Sequence, residues 1–305
     1  MKKFTELFPV PKFLEMRPAG LSFSSSAARA IALSEKGAGL ALQTFGERGL
    51  PSGAIVDGSP ADKTALIEVA RDLRRELGLQ LINLSIPDDK AYVFTVKLPK
   101  EIGNARQAVE LRLEENVPLK AEETVFDYTL IKGGPAEECL ASVLAIPSKE
   151  AADYVEIAET AGLLPVGLTI SADTTRRAIV PDDSRGVIIV ANLGAQRATL
   201  SIVSRGILRF TIRVPIESLS SETTKLTEYW QSHRPDTETG TVESLTLCGE
   251  GAAKAGLAEE LSLSLSLPVS PGNVWQNAFP FDKVIPAIPR EQSLSYAGAI
   301  GAALM

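Results

Sequence analysis

The stretch that constrains this chain most is Gly186 to Phe210, GVIIVANLGAQRATLSIVSRGILRF. It opens with a short apolar run, Gly186 to Ala191, which has the pattern of a strand buried on both faces. Asn192-Leu193-Gly194-Ala195-Gln196-Arg197 follows as a turn with one glycine, and Ala198 to Val203 returns as a second strand. Ser204-Arg205-Gly206 turns the chain again, and Ile207 to Val214 makes a third. The first hairpin tip exposes backbone N–H groups, an arrangement that can cradle phosphate. An ordinary core β-meander has the same pattern, so this stretch alone leaves both readings open.

Gly20 to Leu33 has the same plan: a short strand, a run of small polar residues and a returning strand. Its serines, Ser24, Ser25 and Ser26, can offer hydroxyls and backbone N–H groups to an anion, although serine-rich turns are common. Two similar hairpins suggest two related halves, with Pro181-Asp182-Asp183-Ser184 as the boundary.

Elsewhere helices alternate with strands, the pattern of an α/β protein. Ser59-Pro60-Ala61-Asp62 has the form of a helix start, with Ser as cap. The apolar face Leu66, Val69, Ala70, Leu73 and Leu77 follows, and Gly78 stops the helix. Leu79 to Ile86 and Lys90 to Leu98 read as strands, and Ile102 to Asn116 as an amphipathic helix broken by Pro118. Thr124 to Ile131 and Cys139 to Ile146 read as strands around a Gly133-Gly134-Pro135 turn. Ser148 stands as cap of a helix from Lys149 to Ala161, followed by a strand, Leu164 to Ile170, and a short helix, Ala172 to Ile179. Glu217 to Ser232 reads as one helix, Pro235 to Gly240 as a polar loop and Ser244 to Cys248 as a buried strand. That strand runs into Gly249-Glu250-Gly251 and a helical Ala252 to Leu263. Such a turn can approach a nucleotide closely, though Gly-x-Gly also serves many turns that bind nothing. Glu291 to Met305 reads as a helix rich in Ala and Gly, able to pack tightly on a sheet.

Composition narrows the function. A net charge of −7 over 305 residues opposes a general nucleic-acid binder, which needs a basic face. Cys139 and Cys248 lack metal-type spacing and read as reduced core thiols. His233 is the one histidine and sits at a helix end, which disfavours a Cys/His pair or a His-ligated metal. Glu110, Glu114 and Glu115 read as solvated surface, and Asp173 as a helix-start carboxylate. No residue is assigned to catalysis and none to a metal. No apolar run reaches bilayer-spanning length. The start, MKKFTELFPVPKFLEM, is too broken by charge and proline for a signal sequence. Residues 1–16 read as an arm packed on its own domain, or else resting on a partner or a membrane surface.

The serine hairpin, the Leu-Gly-Ala hairpin, the Gly-x-Gly turn and the closing small-residue helix come in an order that resembles the actin-like ATPase superfamily. The chain resembles more closely its PilM family of type IV pilus assembly. The likeness is carried by Leu7 to Leu14, Gly20 to Leu33, Glu114 to Leu119 with Phe126-Asp127-Tyr128, and Leu144 to Pro147. Further matches are Ala161-Gly162-Leu163, Asn192 to Ala195, Leu208 to Ile216 and Tyr296 to Leu304. The resemblance implies an α/β, actin-like (ribonuclease H-like) two-domain fold with an FtsA/PilM-type extra subdomain and a shortened second-half insertion. Its parts would be a first half (17–87 and 148–182), an inserted subdomain (88–147) and a second half (183–305), in which 215–289 form a reduced adenosine-side subdomain. It further implies a cytoplasmic scaffold held at the inner face of the cytoplasmic membrane through partners. The tail of a PilN-like membrane protein would lie between the first half and the inserted subdomain. Other pilus platform or motor components, and self-association, are further partners it allows.

By the same resemblance the nucleotide-binding positions are Ser22, Ser24, Ser25, Ser26, Arg29, Asn192, Gly194, Ala195, Gln196, Gly249, Glu250 and Gly251. In the family both hairpins begin with an Asp that helps to hold Mg²⁺ and its waters. Here Ser22 and Asn192 stand in those places, so two negative charges are lost where a hard cation needs oxygen anions. Ala195 and Gln196 keep part of the backbone cradle without the usual hydroxyl. ATP with Mg²⁺ is therefore the cofactor the resemblance suggests and these residues weaken. The expectation is weak or absent binding without turnover. The alternatives are an active actin-like ATPase with other groups replacing the acids, and an FtsA-like filament-forming, membrane-recruited protein. A sugar kinase lacks a well-placed general base near either hairpin. Ser22 and Asn192 are expected on neighbouring hairpins facing one cleft, with Gly249 to Gly251 on its far wall.

Overall fold

The computed structural model describes residues 17–36, 39–98, 104–131, 139–234, 240–280 and 285–305. The expected arm (1–16), the Gly133-Gly134-Pro135 turn, most of the 235–240 loop and the start of the helix expected from Ile102 lie outside them.

Strand β1 (Ala19–Phe23) turns through the serines into β2 (Ala27–Lys36), and β3 (Gly39–Gly49) extends the antiparallel meander. A small hairpin of β4 (Ile55–Val56) and β5 (Ser59–Pro60) precedes helix α1 (Lys63–Leu77), so Ser59 and Pro60 are strand residues rather than a helix start. The cap is Asp62, whose carboxylate accepts the Ala65 N–H at 3.0 Å; only a residue this close to the first turn can reach its free donors. Strand β6 (Leu81–Ile86) then lies parallel to β1.

Strand β7 (Tyr92–Leu98), helix α2 (Ala105–Asn116), β8 (Thr124–Ile131) and β9 (Cys139–Pro147) follow, the strands forming their own antiparallel sheet in the order β7-β9-β8. Successive side chains of a strand face opposite sides. Val96, Phe126, Ala141, Val143 and Ala145 pack with Val109 and Leu113 of α2 as a separate cluster, while Val93 and Ile146 belong to the main core. Cys139 is only half-buried, whereas Cys248 is buried; both are free thiols. Helix α3 (Ser148–Thr160) has Ser148 as its first residue rather than its cap. Strand β10 (Leu164–Ile170) completes the sheet β10-β6-β1-β2-β3, and α4 (Ser171–Ile179) leads out of it.

The second sheet repeats this plan. Strands β11 (Val187–Leu193), β12 (Arg197–Ser204) and β13 (Ile207–Pro215) form the meander read from the sequence. A 3₁₀ turn, Ile216–Ser218, opens α5 (Leu219–His233). Strand β14 (Val242–Cys248), α6 (Leu257–Leu265) and β15 (Val269–Pro271) follow, and the sheet order is β13-β12-β11-β14-β15. Each half is thus a meander flanked by two parallel strands in the same spatial order. The helix expected over Ala252 to Leu263 is instead a 3₁₀ turn, Glu250–Ala253, and α6, separated by a break at Gly256.

The closing segment is also divided, into α7 (Arg290–Ser293), a 3₁₀ turn (Leu294–Tyr296) and α8 (Ala297–Ala303). The Ser293 hydroxyl donates to the Arg290 carbonyl at 2.6 Å, a local bond that competes with continuous helix. All of α8 is buried against β1 and α4. A Cβ on Gly301 would stand 1.7 Å from the Thr174 carbonyl oxygen, so no side chain fits there.

Candidate functional site

The ends of β1 and β11 and the start of α4 converge on a cleft between the halves, with a cavity of about 90 Å³. Ser22, Ser24, Ser25, Arg29, Asn192, Gly194, Gly249 and Glu250 line it. Ser26 reaches it through a hydrogen bond to Glu250. Ala195 and Gln196 are exposed at the hairpin tip, and Gly251 packs against Leu193.

Ser22 and Asn192 do share this cleft, but Gly249 is not across from Asn192. Strands β11 and β14 are paired in parallel with Asn192 opposite Cys248, which sets Gly249 directly beside the second hairpin. Gly249 has φ +87°, and a Cβ there would fall 2.4 Å from Asn192 Oδ1. From this position Glu250 spans to the first hairpin, where its Oε1 accepts from Arg29 Nη2 at 2.8 Å and from the Ser26 hydroxyl. Arg29 also donates to Glu47 at 2.7 Å. Asn192 Nδ2 donates to the Ser171 hydroxyl at 3.0 Å.

Asp88 was not singled out from the sequence. It lies just beyond β6, is 8% exposed, and its Oδ1 accepts the Ala172 N–H at 2.7 Å. Burial pushes its carboxyl up to about 6, with the Ala172 N–H, the Thr199 hydroxyl and Arg213 pulling the other way. Arg213 forms an ion pair with the neighbouring Asp89. The signal available in the sequence was position: an acid just past the end of a buried parallel strand, where α/β folds place their sites.

These residues do not fit Mg²⁺, which takes a near-octahedral oxygen shell including carboxylate. The Asp88 and Glu250 carboxylates are engaged by N–H and hydroxyl groups, and among the described residues no group of three or more His, Cys, Asp or Glu could hold a metal ion. The cavity is also well below the roughly 300 Å³ at which pockets for small ligands begin.

A second cavity, about 210 Å³, lies where the β7-β9-β8 sheet meets β10 and α4. Strand alternation turns Val93, Val125, Asp127, Ser142, Leu144 and Ile146 toward it, with register pairs Val125–Ile146, Asp127–Leu144 and Thr129–Ser142. Leu168, Thr169, Asp173, Arg176 and Arg177 form the other wall, and the β12–β13 turn closes one end. Both β8 and β10 are edge strands of their sheets, so each carries a row of backbone groups without a strand partner among the described residues. Burial raises the Asp173 carboxyl, but Arg176 and Arg177 at 2.8 Å hold it below its ordinary value overall. Helix α4 therefore serves both places: Ser171 and Ala172 meet the cleft, and Asp173, Arg176 and Arg177 line the groove.

The chain matches the family model for "Type IV pilus assembly protein PilM" over residues 20–213, more than half its length. No curated protein sequence matches it. Among solved structures it is similar to a chain of the PilM-PilN type IV pilus biogenesis complex, with TM-score 0.80, 19% identity, and 95% of this chain and 98% of that chain covered. It is also similar to the ethanolamine utilization protein EutJ from Carboxydothermus hydrogenoformans (TM-score 0.52, 12% identity, 97% and 91% covered). MreB5 of Spiroplasma citri, solved with ADP, gives TM-score 0.50 at 11% identity, with 94% and 95% covered. The fold is the actin-like α/β fold.

Proposed function

The chain belongs to the PilM family of type IV pilus assembly proteins, and from that premise we propose that it is a scaffold whose groove beside β8 takes the N-terminal tail of a PilN-like membrane protein. The observation that carries this reading is the groove: a free strand edge, apolar side chains and a rim of paired charges, Asp173 with Arg176 and Arg177, lie together there. An extended tail would add to the β8 edge through main-chain hydrogen bonds, and Val93, Leu144, Ile146 and Leu168 would receive its apolar side chains. Ordering a flexible tail costs free energy, so affinity on the order of micromolar is expected. In this reading residues 88–147 are the docking unit on a first half of 17–87 and 148–182, and 183–305 form the second half. The partner would hold the protein at the inner face of the cytoplasmic membrane; no helix among the described residues is long and apolar enough to cross a membrane. The cleft would be a degenerate nucleotide site without turnover, a reading supported by Ser22, Asn192 and the bonds already made by Asp88 and Glu250.

Titration of a fluorescent synthetic tail into the full chain tests this. Leu144→Asp should weaken binding at least tenfold, since it removes an apolar contact and buries a charge, while Asn192→Ala should stay within about twofold. Undiminished binding by a natively folded Leu144→Asp protein rejects the groove. Removing 88–147 is a poorer test. Val93 and Ile146 sit in the main core, and the segment is tied to the second half by Ser142–Leu208 and Asp89–Arg213.

A further inference from the structure

We propose that Glu250 is a built-in anion that closes the cleft where a ligand's phosphate would otherwise sit. The serine hairpin and Arg29 form an anion-receiving wall of the cleft, and a carboxylate from the opposite half already occupies it: Oε1 of Glu250 accepts from both Ser26 and Arg29. This is not a loose surface pair. The Arg29 side chain is 7% exposed, is held by Glu47 at 2.7 Å, and has the Tyr296 ring 5.9 Å away, so the guanidinium is aimed before Glu250 arrives. Glu250 is fixed in turn by Gly249, whose N–H donates to the Leu294 carbonyl at 2.9 Å. Charge-assisted bonds between part-buried groups are the stronger kind. A phosphate would have to displace this carboxylate, and the metal that could offset the added charge has no ligand set among the described residues. The two halves are thus held together by the chain's own side chains, with no nucleotide needed. This rests on the reading of the cleft as a degenerate nucleotide site.

Hydrogen exchange of the full chain, read by mass spectrometry, tests the latch. In Glu250→Ala, amides of Ser22–Ala28 and Gly249–Ala253 should exchange about five- to tenfold faster, with residues 124–131 unchanged. Inorganic phosphate should slow exchange at the hairpin of this variant and leave the wild type unaffected. Glu250→Gln keeps the shape and an acceptor oxygen, so it should show a smaller loss at the same two segments, and it carries the test if the Ala variant does not fold. Unchanged exchange in these segments, or acceleration everywhere alike, overturns the latch. Protection of the wild-type hairpins by Mg²⁺-ATP instead overturns the reading of the cleft beneath it.

Discussion

At one end of α4 lies a cleft whose polar groups are bonded within the chain; along its flank lies a groove whose strand edge is open. In the cleft, Glu250 meets Arg29 and Ser26, Asn192 meets Ser171, and Asp88 meets the Ala172 N–H. In the groove, Val125 is 48% exposed and the β8 edge has no strand beside it among the described residues. Sites that do chemistry hold charged groups ready for a substrate, whereas docking surfaces offer edges and apolar anchors. Under the proposed function, the difference marks the groove rather than the cleft as the place of the binding task, and the contrast can be tested from either side.

The largest expected effect is in the groove. Leu168→Asp should weaken tail binding at least tenfold by anisotropy, through a charge buried without a partner. Its hairpin exchange should match the wild type; equal damage at both places would erase the distinction drawn here. Next is Asp88. Its folded-state carboxyl is raised to about 6 by burial, from 3.8. The folded state therefore binds more protons than the unfolded state between these values, and its stability falls as pH rises through that window. Measured against Asp88→Asn by urea unfolding, the wild type should lose on the order of 2 kcal/mol between pH 4 and pH 7; a flat difference would show that Asp88 is not buried as a strained acid. Smaller again is Ser22→Asp with Asn192→Asp. The wild type should show no thermal shift with Mg²⁺-ATP, and the double variant should gain a Mg²⁺-dependent shift worth about 1 kcal/mol if the hairpins align as proposed. The smallest is Arg177→Ala, which should change tail affinity about twofold and flatten its salt dependence, as a half-exposed charge does.

Much of the architecture was legible because short-range pattern determines it. The meander from Gly186, the serine hairpin and the small-residue closing segment each announce their neighbours through turn chemistry and side-chain size. What failed was local and had a physical cause. Ser59 reads as a cap, but its hydroxyl bonds Glu150, from a helix far along the chain, and Asp62 takes the cap instead. Glu250 and Arg29 could each be assigned to the cleft, but that they bond one another depends on how two sheets face, which no window of sequence contains. The groove was inferred as a place, yet its residues could not be named, because the register of β8 on β9 decides which side chains point into it.

The burial of α8 between β1 and α4 bears on the order in which the protein can be made. A chain leaving the ribosome presents β1 long before α8, yet β1 is walled by residues of α8. Until those residues emerge, the face of β1 that carries Gly20 and Ser22 is open to water. The two halves therefore cannot mature one after the other as independent units commonly do during synthesis. The first waits for the second to be translated, and the contact that closes it joins segments far apart in sequence, the kind of long-range closure that slows folding and lengthens exposure to chaperones.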